Sequence, residues 1–395
     1  MEKNITRVTW SAQNLPAGIS FDTSTGTFTG QLDTEGEYTV PVKVETNYGS
    51  DEKDVKIVVK GGGYPVYAIG KYAATWSGNA TPNESGFRKL PMPGAKKLVT
   101  LRGAFGAEIS SGKYYVCGNF AKYYGIDGDV GNISISQPIE LPIEDIADMA
   151  GGQINSYAYF ACRTFANKLR ITRGYSNSSG SYSYTTLPEY EGITMLQKDF
   201  GDGILAQNAD GAIVGMDASY NTVMNMLAGY TPNKSVKTLL KNSKAKRIYL
   251  TNDGELYVHS GDINTAEPEQ LGAELGAIRE IWGYPAGTGQ IMRIFAQSAQ
   301  DGKLYAMGDN SSYVLGLPEL KTYTEFTEVG DYQVKKIDHY FMLTMDGKLY
   351  HSGYGLTNIT GIHTGGYAQI FTELKFKDIS YDTSSQTLVV LLDEE

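Results

Sequence analysis

Histidine is the residue type most often used for acid–base and metal chemistry near neutral pH, and the chain has four of them. They are His259, His339, His351 and His363. No two stand at a spacing that would place both rings on one element as metal ligands. His259 and His351 fall in equivalent strands of an internal repeat, and His339 precedes a predicted strand, so we expect these three to pack and not to act as bases.

Carboxylates supply the other common acid–base and metal chemistry. The segment GIDGDVGN offers Asp127, Asp129 and Asn132 as oxygen ligands for Ca²⁺, but it lacks the terminal bidentate glutamate of such loops. A plain turn is the preferred interpretation, so we expect no metal and no cofactor. The sequence also lacks a phosphate-binding glycine loop, a nucleophile elbow and a Cys-x-x-Cys pair. These absences favour a protein that is not an enzyme, although carboxylate pairs for sugar hydrolysis could still meet in space.

Aromatic side chains follow the glycine that ends several repeated strands, and they form the main candidate binding site. The residues are Tyr72, Phe120, Tyr175, Tyr220, Tyr313 and Tyr354. Equivalent positions of a radial repeat lie on one face, so these side chains are expected to form an aromatic ring around a channel mouth. Tyrosine combines a flat apolar surface with a polar tip, which suits protein partners or sugars. The alternative is that the six side chains pack between neighbouring repeats.

Two further features are candidates for the same surface. Trp76, Trp282 and Tyr284 lie in segments that show no clear strand pattern. The segment RGYSNSSGSYSYTTLPEY at 173–190 is rich in tyrosine and serine and has no hydrophobic period. Its composition resembles an antibody paratope, but a long solvated hairpin is the preferred interpretation.

The charge balance bears on the partners that the chain can bind. The formal net charge is -10, with 6 Lys and Arg against 9 Asp and Glu up to Lys60, which leaves 28 against 35 beyond it. No basic surface for a nucleic-acid backbone is therefore expected. Cys117 and Cys162 are expected to be buried small hydrophobic residues and not a disulfide. The start MEKNITRVTW has no apolar signal region, and no run of about 18 uncharged apolar residues occurs, so we expect neither membrane insertion nor ordinary export.

A turn followed by a strand returns along most of the chain and predicts how these residues are positioned. The phrase DGKLYAMG at 301–308 is nearly repeated as DGKLYHSG at 346–353. An Asp-Gly step followed by alternating residues favours a hairpin turn and a half-buried strand. The turn position holds Gly112, Gly211, Gly254, Gly302 and Gly347, with Asn167 as a weaker sixth member.

The two ends of the repeat complete one another. The C-terminal TLVVLLDEE places Glu394 at the turn position, and the strand that should follow it occurs instead in GGGYPVYAIG, with Gly63 at the turn. Successive turn positions are then 43 to 55 residues apart in seven units. Seven units that close on themselves predict an all-β fold with a seven-bladed β-propeller over residues 61–395, sealed by pairing of the C-terminal strands with residues 63–70.

The repeat resembles the regulator-of-chromosome-condensation-type propeller. Repeats of that family carry a strand, a DG turn, a strand ending in glycine, then an asparagine and an LG pair, and DGKLYAMGDNSSYVLGLPEL matches this order. SGKYYVCGNFAKYYGIDG is a second match, with Asn119 and Gly125 spaced like Asn310 and Gly316. The family's histidine before a strand has a counterpart in His339. The resemblance implies a propeller over residues 63–394, but not the nucleotide-exchange or chromatin-binding activity of the eukaryotic member.

Residues 1–60 resemble the immunoglobulin-like domain of bacterial and phage surface proteins. The resemblance rests on LPAGISFDTSTGTFTG at 15–30, with its Leu-Pro-x-Gly step, a turn at 24–26 and Gly30 closing a short hairpin. It implies a small β-sandwich, and the alternation in YTVPVKVET supports a strand with one buried face. Domains of this family usually start earlier, so either the sheet is shortened or its exposed edge is completed by a strand of another chain.

These features predict a non-enzymatic binding or structural protein of a bacteriophage virion, such as a fibre, receptor-binding or decoration component. Its propeller face would meet a host surface protein or glycan, and its N-terminal domain would contact other virion proteins, in multiple copies per particle. Such a protein is made in the cytoplasm without a signal peptide and leaves in the virion at host lysis. Two alternatives stay open: a purely structural virion component that packs against other virion chains, and a polysaccharide-degrading enzyme with carboxylates in the central channel.

Overall fold

The structure is a computed structural model of the 395-residue chain. It describes residues 7–16, 18–30, 36–59, 63–78, 86–101, 103–110, 112–118, 135–154, 157–176, 182–186, 189–197, 204–216, 232–243, 246–260, 267–284, 293–354, 360, 365–382 and 386–394. The chain divides into two compact units, Met1–Gly63 and Tyr64–Glu395, and each has its own sheets.

The N-terminal unit consists of a three-stranded sheet and a hairpin. Its strands are β1 (Val8–Ala12), β2 (Ile19–Asp22), β3 (Thr27–Gly30), β4 (Gly36–Thr46) and β5 (Gly49–Val59). The sheet has the order β1-β4-β5, the hairpin joins β2 to β3, and all pairs are antiparallel. Asp22 shapes the hairpin turn because its carboxylate accepts hydrogen bonds from the backbone N–H of Ser24 (2.8 Å) and from the hydroxyl of the same residue (2.6 Å).

One face of the three-stranded sheet carries the apolar residues of YTVPVKVET, because alternate residues of a strand point to the same side. Val40 of β4 is fully buried on that face, and its cross-strand neighbour is Val55 of β5. In the hairpin, Phe21 and Phe28 lie opposite each other with ring centroids 4.8 Å apart. The unit is therefore small and its core is shallow.

The second unit is built from seven antiparallel sheets among its described residues. It opens with β6 (Val66–Gly70), the one-turn helix α1 (Ala73–Trp76) and β7 (Arg88–Lys89). Sheet 1 contains β8 (Lys97–Leu101), β9 (Ala104–Ser110), β10 (Lys113–Gly118) and β11 (Ile135–Glu140). Sheet 2 contains β12 (Ile146–Ile154), β13 (Tyr157–Thr164), β14 (Leu169–Ser176) and β15 (Tyr182–Thr186). Sheet 3 contains β16 (Ile193–Leu196), β17 (Ile204–Asn208) and β18 (Ile213–Met216).

The remaining sheets follow the same plan. Sheet 4 contains β19 (Val236–Ser243), β20 (Lys246–Thr251), β21 (Leu256–Ser260) and β22 (Glu269–Leu271), after which comes a short 3-10 helix (Ala273–Leu275). Sheet 5 contains β23 (Ile278–Tyr284), β24 (Arg293–Ser298), β25 (Leu304–Asp309) and β26 (Thr322–Gly330). Sheet 6 contains β27 (Val334–Asp338), β28 (Phe341–Thr344), β29 (Leu349–His351) and β30 (Ala368–Ile370). Sheet 7 joins β31 (Phe376–Asp382) and β32 (Thr387–Leu392) to β6 and β7.

Sheet 7 unites the two ends of this unit. Strand β32 pairs with β6 from Thr387↔Gly70 to Leu391↔Val66, and on its other side it pairs with β31. The pairing predicted from the sequence is thus the pairing that the strands make. Because the first and last strands of the unit share one ladder, neither is left as an open edge at this point.

The seven sheets follow one another in a closed cycle. The first strands of neighbouring sheets contact each other: β8 contacts β12, β12 contacts β16, β19 contacts β23, β23 contacts β27, β27 contacts β31, and β31 contacts β8. Sheet 3 reaches sheet 4 through contacts of β17 with β19. Radial repetition of small sheets around a common axis is the arrangement of a β-propeller.

The core of the second unit lies between its sheets. The described residues form seven apolar clusters, and each cluster combines side chains from two neighbouring sheets. The cluster between sheets 7 and 1, for example, brings Leu391 of β32 together with Phe105 of β9. Cys117 belongs to this cluster and Cys162 to the next, and both are buried free thiols, which confirms the prediction made for them.

At four of its positions the repeated turn is hydrogen-bonded to the first strand of the next sheet. At Gly347, φ is +81°, and the carbonyl accepts a hydrogen bond from the backbone N–H of Phe376 at the start of β31 (3.0 Å). A Cβ at this position would lie 3.1 Å from the carbonyl oxygen of Phe376. Asn167 takes the same position in sheet 2, with φ +61° and its carbonyl accepting from the N–H of Ile193 of β16 (2.9 Å). Asparagine is among the residues that tolerate this conformation, which explains the weaker sixth repeat.

Candidate functional site

The loop between β25 and β26 is the best-defined part of the face predicted to bind. Asn310 follows β25 directly and is fully buried. Its side-chain oxygen accepts a hydrogen bond from the N–H of Leu315 (3.0 Å), and its amide group donates to the carbonyls of Leu317 (2.9 Å) and Glu319 (2.8 Å). Because one buried amide satisfies three backbone groups, the path of the loop is fixed.

Tyr313 stands in this loop with a left-handed backbone, φ +57°. The hydroxyl of Ser352, which follows β29 in sheet 6, donates to the carbonyl of Tyr313 (2.6 Å). The next residue, Gly353, has φ +84°, and a Cβ there would lie 2.3 Å from the carbonyl oxygen of Ser312. The loops of sheets 5 and 6 are therefore joined by a hydrogen bond and by close backbone contact.

Tyr313 and Tyr354 lie side by side as a consequence of this junction. Their ring centroids are 5.9 Å apart and their planes meet at 64°, an edge-to-face arrangement that aromatic rings favour. The side chain of Tyr354 is 49% exposed, and Tyr313 is half-buried. The pair forms an aromatic patch with a polar component on a fixed support, and we call it the tyrosine patch.

Of the other four predicted aromatic residues, one has a described side chain, and it lies away from this patch. The ring of Tyr72 stacks on Trp76 of α1 at 6.0 Å and packs against the core between sheets 7 and 1. For Tyr175 the structure gives the backbone position alone, in β14. Phe120 and Tyr220 lie outside the described residues. Packing between sheets, the alternative interpretation, therefore applies to Tyr72.

An ion pair lies at the base of the loop that carries Tyr313. Arg293 of β24 places Nη2 2.7 Å from Oδ2 of Asp309, and its Nε donates to the Asp309 carbonyl (2.9 Å). Ser311 donates to the same carboxylate from its N–H (3.0 Å) and its hydroxyl (2.9 Å). Burial alone would raise the pKa of Asp309, but the hydrogen bonds from Ser311 and Arg293 outweigh it and hold that pKa below its usual value. Asp309 is therefore ionised at neutral pH, where it fixes the first turn of the loop.

A second polar cluster joins the innermost strands of three sheets. Asp338 of β27 accepts hydrogen bonds from the hydroxyl of Thr100 in β8 and from the N–H of Tyr381 in β31 (2.9 Å). Asp378 of β31 lies 3.2 Å from Nζ of Lys336 in β27. Both carboxylates are buried and already accept hydrogen bonds from neighbouring strands. A catalytic carboxylate pair needs oxygen atoms directed at a substrate, and these are directed at the protein.

The histidines occupy structural positions. The ring of His339 is largely buried, and its Nδ1 lies 2.9 Å from Oδ1 of Asp338, in keeping with the predicted packing role. His259 of β21 and His351 of β29 are both buried in the third strands of their sheets. These strands are equivalent in the repeat, but His259 lies five residues after its turn glycine and His351 four, so the two side chains do not occupy equivalent positions. His363 lies outside the described residues.

The structure corrects the prediction that Trp76, Trp282 and Tyr284 stand on an irregular surface. Trp76 is buried on α1, while Trp282 and Tyr284 are buried in β23, where they pack between sheets 5 and 6. The hydroxyl of Tyr284 donates to the carbonyl of Ile337 in β27. In the innermost strand β23 the adjacent residues Ile281 and Trp282 are both buried, so burial does not alternate along the strand and its sequence was not recognisable as a strand.

The tyrosine- and serine-rich segment at 173–190 contains a hairpin. Strands β14 and β15 pair in antiparallel register from Thr172↔Thr186 to Ser176↔Tyr182. This agrees with the hairpin interpretation of the segment, which was preferred over a paratope-like loop.

The predicted calcium ligands Asp127, Asp129 and Asn132 lie outside the described residues. Within the described ranges, no three side chains of His, Cys, Asp or Glu are grouped so that they could hold a metal ion. In the same part of the chain, no helix is long and apolar enough to cross a membrane.

Comparisons with known proteins agree with the two-part architecture. Residues 2–60 match the model of the family described as "Putative Ig domain". A comparison of the sequence with curated proteins finds no match. One similar solved structure is that of Kap60 bound to yeast RCC1 (Prp20), with a TM-score of 0.59, 13% identity, and coverage of 84% of this chain and 90% of that one. Another is human WBSCR16, with a TM-score of 0.62, 12% identity, and coverage of 84% and 100%.

At such low identity these likenesses establish the fold and no function. The chain is all-β, with an immunoglobulin-like domain at its N-terminus and a propeller of the RCC1-like type after it. The resemblances inferred from the sequence motifs are confirmed at this level.

The polar residues that fix the tyrosine patch could not be recognised from the sequence. Ser352 is visible in the sequence only as part of the Ser-Gly pair that ends a repeated strand, and its partner Tyr313 belongs to another repeat. Arg293 and Asp309 lie on neighbouring strands, and a pairing of opposite charges across strands becomes visible only when the register is known.

Proposed function

We propose that the protein is a non-enzymatic binding component of a bacteriophage virion, a fibre, receptor-binding or decoration protein that presents a propeller face to a host surface protein or glycan. The observation that carries the proposal is the tyrosine patch, Tyr313 with Tyr354. Its support is fixed by the buried Asn310 and by the bond from Ser352. Rigid tyrosines lose little conformational entropy on binding, which makes them effective contact residues.

The two-part architecture supports a role on a virion. The N-terminal residues match an immunoglobulin-like domain and resemble those of bacterial and phage surface proteins. In this proposal the N-terminal unit contacts other virion proteins and the propeller contacts the host. The net charge of -10 makes nucleic acids and anionic membrane surfaces poor partners.

The innermost carboxylates support a role without catalysis. Asp338 and Asp378 are engaged by hydroxyl, N–H and ammonium groups of neighbouring strands, so removing either would leave buried donors without acceptors. A role in holding the sheets together accounts for their burial. Sugar recognition by the tyrosine patch requires no such buried acid.

Multiple copies on one particle would raise the overall strength of attachment. A patch of two tyrosines gives a small contact, and weak individual contacts become strong when several act on one surface at once. The binding function therefore does not require high affinity of the isolated chain.

The proposal is tested by incubating fluorescently labelled full-length protein with a panel of bacterial strains and measuring saturable surface binding by flow cytometry. We expect saturation on a few strains. Tyr354→Ala and Tyr313→Ala should each weaken binding roughly tenfold, the effect of removing an interface residue worth about 1.4 kcal/mol. Tyr48→Ala is the matched control, because Tyr48 is a tyrosine of the N-terminal unit with 53% exposure and should leave binding unchanged.

Each other outcome argues against a part of the proposal. Saturable binding that survives both patch substitutions would place the contact elsewhere on the molecule. No saturable binding to any strain would favour the purely structural role, in which particles lacking the protein lose integrity. Release of reducing ends from capsule or lipopolysaccharide would show that the protein is an enzyme.

A further inference from the structure

Strand β5 forms a long outer edge of the N-terminal sheet. It pairs with β4 along its whole length, from Gly36↔Val59 to Thr46↔Gly49, and no other strand pairs with it among the described residues. Its backbone N–H and C=O groups on the outer side therefore form a row suited to another strand. Natural edges of this kind are usually protected by charged side chains, and β5 carries them at 51–54 and 56.

We propose that β5 pairs with β5 of a second copy of this chain, which joins two N-terminal sheets into one continuous antiparallel sheet. A two-fold axis perpendicular to the sheet relates antiparallel copies and keeps the faces aligned, so one residue must lie opposite itself at the centre. The charges of β5 select that residue.

Only one centre within the charged part of β5 avoids opposing like charges. A centre at any of the five charged residues, 51–54 and 56, would place two identical charges directly opposite each other. A centre at Val55 places Val55 opposite its own copy and Asp54 opposite Lys56 of the second chain, twice by symmetry. The pattern that makes β5 unattractive to most strands is therefore self-complementary in this single register.

The faces of the sheet agree with this register. Val55 lies opposite the buried Val40 on the core side, so the central contact between copies would extend the apolar face. Asp54 and Lys56 lie on the other side, opposite Pro41 and Thr39 of β4, which carry no charge. Neither Asp54 nor Lys56 therefore has a residue of opposite charge directly across from it on β4. Both side chains are exposed, so they can pair with oppositely charged side chains of a second β5.

Dimerisation through β5 is independent of the proposed binding function of the propeller. A dimer through β5 would hold two propellers on one sheet whatever the propellers bind. The strand that covers the β5 edge is then β5 of a second copy of this chain and not a strand of an unrelated protein.

The test is sedimentation velocity on the full-length protein at concentrations on the order of 1 to 100 μM, the range of a weak specific dimer. The wild type should show a concentration-dependent equilibrium of monomer and dimer. Asp54→Lys should weaken the dimer roughly tenfold or more, because it places like charges opposite each other at two symmetric positions. Lys56→Asp should do the same. The double variant Asp54→Lys/Lys56→Asp should restore the dimer, since it exchanges the two partners.

The controls separate this contact from general effects of charge and folding. Glu191→Lys makes the same change of charge on the second unit, at a side chain that is 79% exposed, and should leave the dimer unchanged. Circular dichroism of each variant should match the wild type. A chain that stays monomeric throughout would overturn the proposal. A dimer that is insensitive to the single substitutions, or that the double variant does not restore, would overturn it equally.

Discussion

Gly347 adopts a backbone conformation that glycine tolerates and other residues resist, with φ +81° and the Phe376 carbonyl oxygen 3.1 Å from the position of a Cβ. Gly347→Ala should therefore lower the free energy of unfolding by about 1–2 kcal/mol, the cost of a left-handed backbone for a residue with a side chain. Urea denaturation followed by tyrosine and tryptophan fluorescence measures the change.

Gly86 provides the matched control for this substitution. A Cβ at Gly86 would meet nothing within 4 Å, and its φ is not in the left-handed region. Gly86→Ala should change stability by less than about 0.5 kcal/mol, or raise it slightly through the unfolded state. Equal losses in the two variants would contradict the argument from the turn conformation.

At the residue scale, the sequence predicted the features that depend on neighbouring residues alone, such as the turns. Six of the predicted turn positions, the five clear glycines and Asn167, have the expected positive φ. Gly63 and Glu394, at the two ends of the repeat, are not among the residues with positive φ. The contact of Tyr313 with Tyr354 could not be predicted, because the two residues belong to loops of different sheets. They meet only because Ser352 holds the carbonyl of Tyr313 in place.

At the element scale, β10 and β13 each place one thiol in a core between sheets. Burial raises the pKa of Cys162 to about 12 and raises the pKa of Cys117 as well. The thiolate is the reactive form, so neither thiol should react with an aromatic disulfide reagent at about pH 8 until the sheets separate. In urea, both should react, and the rate should follow the unfolded fraction.

The raised pKa values of the two thiols also make the stability of the protein depend on pH. A thiol whose pKa is raised in the folded state adds stability that is fully present below its unfolded pKa, near pH 9, and is lost as the pH rises toward the folded value. Stability should therefore fall above about pH 9. Cys117→Ala and Cys162→Ala assign the labelling to single thiols, and rapid labelling of either thiol in the native protein would show that its core opens locally.

Whether a strand could be predicted from the sequence depended on the alternation of polar and apolar residues along it. Strands beside a DG turn were predicted because turn and alternation coincide, as in β28 and β29 around Gly347. The innermost strand β23 was missed, because its adjacent buried residues Ile281 and Trp282 interrupt the alternation of polar and apolar residues. The polar bonds that link β8, β27 and β31 depend on the curvature of the whole ring and have no signal in the sequence.

At the scale of the whole molecule, the two units differ in how they depend on their ends. In the second unit, the last strand completes the sheet of the first, so distant parts of the sequence stabilise one ladder. This pairing could be predicted from the sequence because the missing strand of the last repeat and the extra strand near Gly63 add up to one unit. The N-terminal unit has its own sheet and hairpin, and among the described strands none is shared between the two units.

Truncations at the two ends should therefore have opposite effects. Removing residues 1–63 leaves all strands of the seven described sheets in place, and we expect residues 64–395 to keep a β-type circular dichroism spectrum and cooperative unfolding. The much shorter deletion of residues 387–395 removes β32 from between β31 and β6. It takes away Leu388, Val389, Val390 and Leu391, which are all fully or almost fully buried.

The magnitudes explain why the shorter deletion is the more damaging one. Burial of one such side chain contributes about 1.5–3 kcal/mol, so loss of four approaches or exceeds a total stability of about 5–15 kcal/mol. The Val and Leu side chains of β32 also belong to the clusters on both sides of sheet 7, so sheets 6 and 1 would lose contacts together. We expect residues 1–386 to bind a hydrophobic dye and to lack a cooperative transition. A cooperative transition in that fragment, at wild-type stability, would show that the ring does not depend on its closing strand.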